Sequence, residues 1–240
     1  MPGLGTIVNV LGVTAGGLVG LLAGGRLGER MRETLMVAMG VLVIYIAIAG
    51  SLQQMLVIGP DGAISTQGTM MAIASLGFGA VIGELADLDG KVERFGQWLR
   101  DRTGNSGDAR FVDAFVTASL TVCVGAMAVV GAIQDALLAD PSVLYAKMAL
   151  DLVIVMVMTA SMGKGCIFSA LSIGLFQGSI ELLSGLLRPV MTEAALSNLS
   201  LVGNMLIFCV GVNLLFDRKI RVANLLPSLV IAVVWALVRA

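Results

Sequence analysis

Residues 145–187 read YAKMALDLVIVMVMTASMGKGCIFSALSIGLFQGSIELLSGLL. A helix crosses the hydrocarbon core with about 20 mostly apolar residues. These 43 residues are about twice one crossing, and Gly163-Lys164-Gly165 is the only break within them. Two spans joined by a tight turn are the expected reading, with one kinked segment as the alternative. The stretch also carries Lys147, Asp151, Gln177 and Glu181, charged and amide side chains that hydrocarbon tolerates poorly.

Outward from this pair, further apolar runs lie near 4–25, 35–57, 66–86, 111–137, 199–216 and 222–239, giving eight in all. Gly59-Pro60-Asp61-Gly62, Asp140-Pro141-Ser142 and Arg188-Pro189 punctuate them as turns. The first run has no basic residue ahead of it and is glycine-rich, so it is expected to be a retained span and not a cleaved signal. Hydrophobic residues make up 58% of the 240 and charged ones 13%. A soluble domain carries roughly a quarter charged residues, and the mean hydropathy of +0.97 agrees with a membrane solvent. The expected fold is all-α, a polytopic transmembrane bundle of about eight spans forming one integral membrane domain over 1–240.

Charge placement sets the orientation. Arg26, Arg30, Arg32, Lys91, Arg94, Arg100, Arg102, Arg110, Lys164, Arg218, Lys219 and Arg221 fall on one side of an eight-span chain. Only Lys147, Arg188 and Arg239 fall on the other. Basic loops stay cytoplasmic, so both termini are expected outside. The longest loop, 87–110, carries Leu88, Val92, Phe95 and Leu99 at helical spacing beside Trp98, the pattern of a short amphipathic helix on the cytoplasmic surface.

Three strips of small residues recur at i+4: Gly12, Gly16, Gly20 and Gly24; Ser75, Gly79 and Gly83; Ala170, Gly174 and Gly178. Such strips let helix backbones approach closely. A weak echo at an offset of 63 aligns Gly5-Thr6, Gly16 and Gly20 with Gly68-Thr69, Gly79 and Gly83, as a parallel duplication would.

Asn9, Gln134, Asp135, Asp151, Gln177, Glu181 and Asn204 lie toward the outer third of their spans. Asp151 is the deepest acid, about 9 Å from the outer end of its helix. Two readings compete. On the first, Asn9, Gln134, Asp135, Asp151, Gln177 and Glu181 are expected to line one ion- or substrate-binding site, with Asp151 and Glu181 as cation ligands and Asn9, Gln134 and Gln177 as neutral ones. Alternatively each is satisfied separately: Lys147 pairs with Asp151 four residues on, and Asp135 snorkels to water from a helix end. Glu84 and Asp87 are expected to mark the inner interface.

Net charge of −1 gives no reason to expect a nucleic-acid partner. Histidine is absent, which excludes histidine-dependent intramembrane hydrolysis, and Cys123, Cys166 and Cys209 have no metal-binding spacing. Ser161-Met162-Gly163-Lys164 matches S-x-x-K without the companion motifs that give it meaning. No cofactor, no metal site and no enzymatic activity are expected. The partners expected are the lipid bilayer, a small ion or polar solute, and a second copy of the chain.

Gly5-Thr6-Ile7-Val8-Asn9, Phe115-Val116-Thr117-Ala118-Ser119-Leu120, Cys123-Val124-Gly125-Ala126-Met127-Ala128 and Ile133-Gln134-Asp135 form one set of motifs. Lys147 with Asp151, Gln177-Gly178-Ser179 and Val222-Ala223-Asn224-Leu225-Leu226-Pro227 complete it. Together they resemble a bacterial inner-membrane family typified by YqgA and YdfK, nearly end to end. Ala126 and Ala136 depart from its pattern, where Pro and Gly are expected. The resemblance implies a multi-pass protein of the bacterial inner (plasma) membrane and implies no substrate. A transporter or channel for a small polar solute or ion is the expected function, with a non-transport scaffold or partner subunit as the alternative.

Overall fold

The computed structural model describes residues 3–25, 28–123, 126–216 and 220–238. Arg26, Val124, Gly125, Arg218, Lys219 and Arg239 lie outside the described residues, as do the side chains of Arg32 and Ala126. Ten α-helices are found among those described: α1 Leu4–Gly24, α2 Glu29–Met55, α3 Thr69–Ala86, α4 Leu88–Arg102, α5 Phe111–Cys123, α6 Ala126–Leu138, α7 Ser142–Met162, α8 Ser169–Leu187, α9 Glu193–Phe216 and α10 Pro227–Val238. The protein is an all-α polytopic bundle. By length and composition six helical segments can cross a membrane, and the bent pair α5–α6 makes seven. The expected eighth run corresponds to the shorter apolar stretch Val222–Val238, a 3-10 turn followed by α10.

Two local results differ from the reading of the sequence, and a third decides between its two alternatives in favour of the expected one. The run 111–137 is not one continuous helix, because α5 and α6 meet at 61°. The kink is there although Ala126 and Ala136 stand where Pro and Gly were expected. Residues 56–66 leave the helical pattern and form a small antiparallel hairpin, β1 Leu56–Ile58 with β2 Ile64–Thr66, in the register Leu56↔Thr66 and Ile58↔Ile64. Gly62 takes φ +77 in its turn, a conformation that costs glycine little. Finally, the long stretch 145–187 resolves into α7, a 3-10 turn at Lys164–Phe168 and α8. Gly163 at φ +105 makes that separation, so the kinked-segment alternative does not describe it.

Two of the three glycine strips make close contact with a neighbouring backbone. A methyl placed on Gly16 or Gly20 would overlap the carbonyl oxygen of Leu152 or Met156, and one on Gly24 would lie 2.8 Å from the Ala160 carbonyl oxygen. The strip of α1 thus lies directly on the α7 backbone, with the two helices running parallel. Gly79 and Gly83 similarly meet the backbone of Ser228 and Asn224, drawing α3 against α10 and the preceding turn. The third strip is different and corrects its expectation. Gly174 has only an ordinary 3.5 Å neighbour in Val10, and nothing lies within 4 Å of a methyl on Gly178. Small residues permit close approach but do not compel it.

The amphipathic segment expected at 87–110 is α4. Asp87, in the left-handed conformation at φ 47, separates it from α3, a geometry that short polar side chains tolerate best after glycine. Leu99 and Gly96 face the bundle, while Phe95 stacks on Trp98 and tilts against Phe115. Asn224 fastens the start of α4: its Oδ1 accepts the Asp89 N–H at 2.7 Å, and its Nδ2 donates to Glu84 Oε2 at 2.6 Å.

Candidate functional site

Helix α1 supplies the centre of the site. Thr6 and Asn9, one turn apart, share the face that lies between α7 and α8. The glycines on either side let it sink there: Gly12 packs on Met148, and a methyl on Gly5 would fall 2.9 Å from Asp135 Oδ2. On α7, Lys147 and Asp151 share a face by their i+4 spacing, and on α8 Gln177 and Glu181 do the same. Packing three helices by small residues therefore forces three polar pairs into one place.

The resulting contacts form a chain. Glu181 Oε1 accepts the Thr6 hydroxyl at 2.5 Å, and that hydroxyl also lies 3.2 Å from Gln177 Oε1. Asn9 Nδ2 reaches Gln177 Oε1 at 3.4 Å and Asp151 Oδ2 at 3.3 Å. Lys147 Nζ donates to Asp151 Oδ2 at 2.6 Å and to the Val122 carbonyl oxygen at 2.7 Å. Val122 lies in the last turn of α5, where carbonyls lack intrahelical partners and the helix end carries partial negative charge. Asp135 of α6 joins from the side, with Oδ2 accepting the Gly5 N–H at 2.7 Å in the first turn of α1.

Exposure decides how unusual this is. Asn9 and Asp135 are 0% exposed, Gln177 1%, Asp151 4% and Lys147 7%. Glu181 is half-buried and opens the chain to the surface. Yet three polar atoms of the group, Asn9 Oδ1, Asp135 Oδ1 and Gln177 Nε2, are buried without a hydrogen-bond partner. Each such atom costs about 1–3 kcal/mol. Three carboxyl groups, those of Asp135, Asp151 and Glu181, stand against one amine, that of Lys147. Among the described residues no three acidic or cysteine side chains gather as a metal centre would.

The two readings of the polar residues thus merge. Asn9, Asp151, Gln177 and Glu181 do converge, and Lys147 does pair with Asp151. Asp135 is fixed to the α1 N-terminus, and the expectation that it snorkels to water is corrected by its complete burial. Gln134, half-buried one residue before it, is not among the hydrogen-bonded members; its backbone oxygen accepts the Asp140 N–H at 3.4 Å. Asn204 is elsewhere, donating to the Ser200 carbonyl oxygen of its own helix at 2.8 Å beside Gly50. Thr6 and the Val122 carbonyl were not singled out as site groups. Thr6 is legible in hindsight from its i, i+3 spacing to Asn9; a main-chain oxygen freed by a helix break leaves no mark in hydropathy.

A cavity of about 640 Å³ lies at the other end of α5, lined among others by Asp87, Glu93, Arg110, Asp113, Thr117 and Arg221. Thr117 is five residues from Val122, about 8 Å along the helix. The cluster therefore sits between a half-exposed carboxylate on one side and a polar cavity on the other.

The comparisons with known proteins agree on kinship and stop there. The model of the family described as "Protein of unknown function (DUF554)" matches residues 4–237. The chain is 26% identical over 227 residues to the "Uncharacterized membrane protein YdfK" of Bacillus subtilis (strain 168), covering 95% of this chain and 93% of that protein. It is 25% identical over 233 residues to the "Uncharacterized protein YqgA" of Escherichia coli (strain K12), covering 95% and 94%. No solved structure matches. With a match that begins at the first residue of α1 and ends in α10, the chain belongs to the DUF554 family of proteins of unknown function.

Proposed function

We propose that this protein is a multi-pass transporter or channel of the bacterial inner membrane for a small cation, with the Thr6, Asn9, Asp151, Gln177 and Glu181 cluster as its binding site. One observation carries the reading. Buried polar atoms stand unpartnered beside an ion pair at membrane depth, where ionisable groups are rare and normally serve a pathway. A purely structural cluster would be selected for full pairing, because a half-satisfied buried network is worse than an apolar core. Two of these atoms, Asn9 Oδ1 and Asp135 Oδ1, are oxygens that suit a guest bringing positive charge, whereas the third, Gln177 Nε2, is an N–H donor.

The surroundings support passage. Glu181 meets the surface at one end of the cluster, and the cavity reaching Thr117 approaches from the other. Eight crossings with both termini outside are part of the proposal. Helix directions favour it: α1 runs parallel to α7 along Gly12–Met148 and Gly24–Ala160. It runs antiparallel to α8, through Thr6–Glu181 and Gly17–Ile167. Helices α2 and α9 are antiparallel through Gly40–Leu215 and Gly50–Asn204, as are α3 and α10 through Gly79–Ser228 and Gly83–Asn224. An alternating eight-pass chain requires each of these directions.

The test is flux in liposomes with sodium, potassium and proton gradients. Asp151→Asn keeps the shape of the side chain and removes its charge. Loss of flux at least tenfold, with unchanged elution and helix content, is the expected result. Equal flux in Asp151→Asn and the parent would remove Asp151 from the pathway, and no flux of any of the three ions from the parent would end the reading.

A further inference from the structure

Lys147 is the group that the proposed pathway does not need. A cation route lined by Asp151 and amide oxygens works without a resident ammonium, and a buried ion pair is a poor source of stability compared with apolar residues of the same size. The lysine also does more than neutralise its neighbour. Its Nζ bridges Asp151 Oδ2 at 2.6 Å and the Val122 carbonyl oxygen at 2.7 Å, joining α7 to the end of α5. Those two oxygens, one anionic and one at a helix C-terminus, are ligands that a desolvated monovalent metal ion takes. Discontinuous membrane helices place their carbonyl ends at coupling-ion sites for the same reason. The α5–α6 pair is such a discontinuity, bent by 61° just beyond Val122. The Asn9 amide lies beside this pair. Its Nδ2 already touches Asp151, and its Oδ1 is buried and unpartnered.

We propose that the Lys147 ammonium is a tethered cation, occupying the site that a free monovalent metal ion takes when the lysine side chain withdraws. The inference rests on reading the cluster as a cation pathway and adds its mode of gating. The ammonium and the incoming ion compete for Asp151 and the Val122 carbonyl, so the site is closed whenever Lys147 is seated. Four methylene groups on a helix that is otherwise fixed give the charge its reach, and the tether keeps it from leaving with the ion.

The experiment removes the tethered charge and asks whether a free one replaces it. Lys147→Met, Lys147→Met/Asp151→Asn and the parent protein are each purified in detergent. Their thermal midpoints are then titrated with sodium, potassium or lithium chloride against N-methylglucamine chloride at equal ionic strength. Lys147→Met should show a saturable rise with at least one metal ion, while the parent and the double variant show none. Absence of a metal-specific rise in Lys147→Met, or the same rise in the double variant, would overturn the proposal. So would a Lys147→Met protein that folds in none of these salts while the double variant folds in all. This readout involves no flux. Flux lost in Asp151→Asn with no metal effect in Lys147→Met would keep the transport reading and end this one. A metal effect without parent flux would keep the shared cation position and end both the transport reading and the gating built on it.

Discussion

Replacing Gly20 by alanine adds one methyl group, and the structure fixes where it goes. It would overlap the Met156 carbonyl oxygen and come within 2.9 Å of the same carbonyl carbon and 3.0 Å of Thr159 Cβ. Backbone atoms cannot rotate aside, so α1 and α7 must separate along their shared face. Overpacking of this kind costs about 1–3 kcal/mol, and contact with a rigid carbonyl places this site at about 3. Alanine returns about 1 kcal/mol through its helix propensity, leaving a net loss of about 2. Gly178→Ala is the matched control, the same change in the other kind of strip, with no atom within 4 Å of the new methyl. It keeps only the propensity gain of about 1 kcal/mol. The two variants should therefore differ by about 3 kcal/mol, roughly a hundredfold in the unfolding equilibrium. Reversible unfolding by SDS in mixed micelles, followed by circular dichroism, measures that difference. Equal stability of the two variants, or a Gly20→Ala protein as stable as the parent, would mean that the α1 strip does not touch α7.

Topology is tested by single cysteines in a background lacking Cys123, Cys166 and Cys209. Thiols at Gly62 and Glu193 should react only from outside and one at Gly107 only from the cytoplasm, and reversal at any position defeats the eight-pass arrangement. All three positions are exposed, whereas Ala195 beside the second is fully buried and would label from neither side. Asn224→Ala should cost about 2 kcal/mol by removing its hydrogen bonds to the Asp89 N–H and to Glu84. Hydrogen exchange should accelerate across 88–102 and stay unchanged in α1, and uniform protection in α4 would show that Asn224 does not hold it.

Local spacing made much of this readable. The pairs Lys147 with Asp151 and Gln177 with Glu181 are i+4 neighbours, and any helix brings such neighbours together. The length and apolarity of 145–187 required two segments. What brings Asn9 to Asp151 is different in kind: the pair is separated by 142 residues and meets only because Gly12 and Gly16 let α1 settle on α7. The strips illustrate the limit. Gly16 and Gly178 sit in patterns of identical period, yet one is pressed on a backbone and the other faces open space. Periodicity records that a face is small, and the partner that covers it is a property of the whole bundle. The break between α5 and α6 was hidden for a related reason, since the run 111–137 is apolar on both sides of it. Leu56 and Val57 read as the tail of a helix because apolar residues of this kind serve a membrane helix and a strand equally well.

The close seating of α1 on α7 has a consequence for how the chain is made. Ribosomes add roughly 5–20 residues per second, so the 142 residues between Asn9 and Asp151 take about 7–28 s to synthesise. Throughout that interval α1 has been released without the helix that covers its glycines, and Asn9 has neither Asp151 nor Gln177 to bond. A nascent helix in that state should stay near the insertion machinery, or be shielded by another factor, until α7 and α8 arrive. Chains stopped before residue 142 should then be recognised as orphans and degraded, while those carried through α8 should persist. The same face that makes the finished protein compact would set the moment at which its biogenesis is committed.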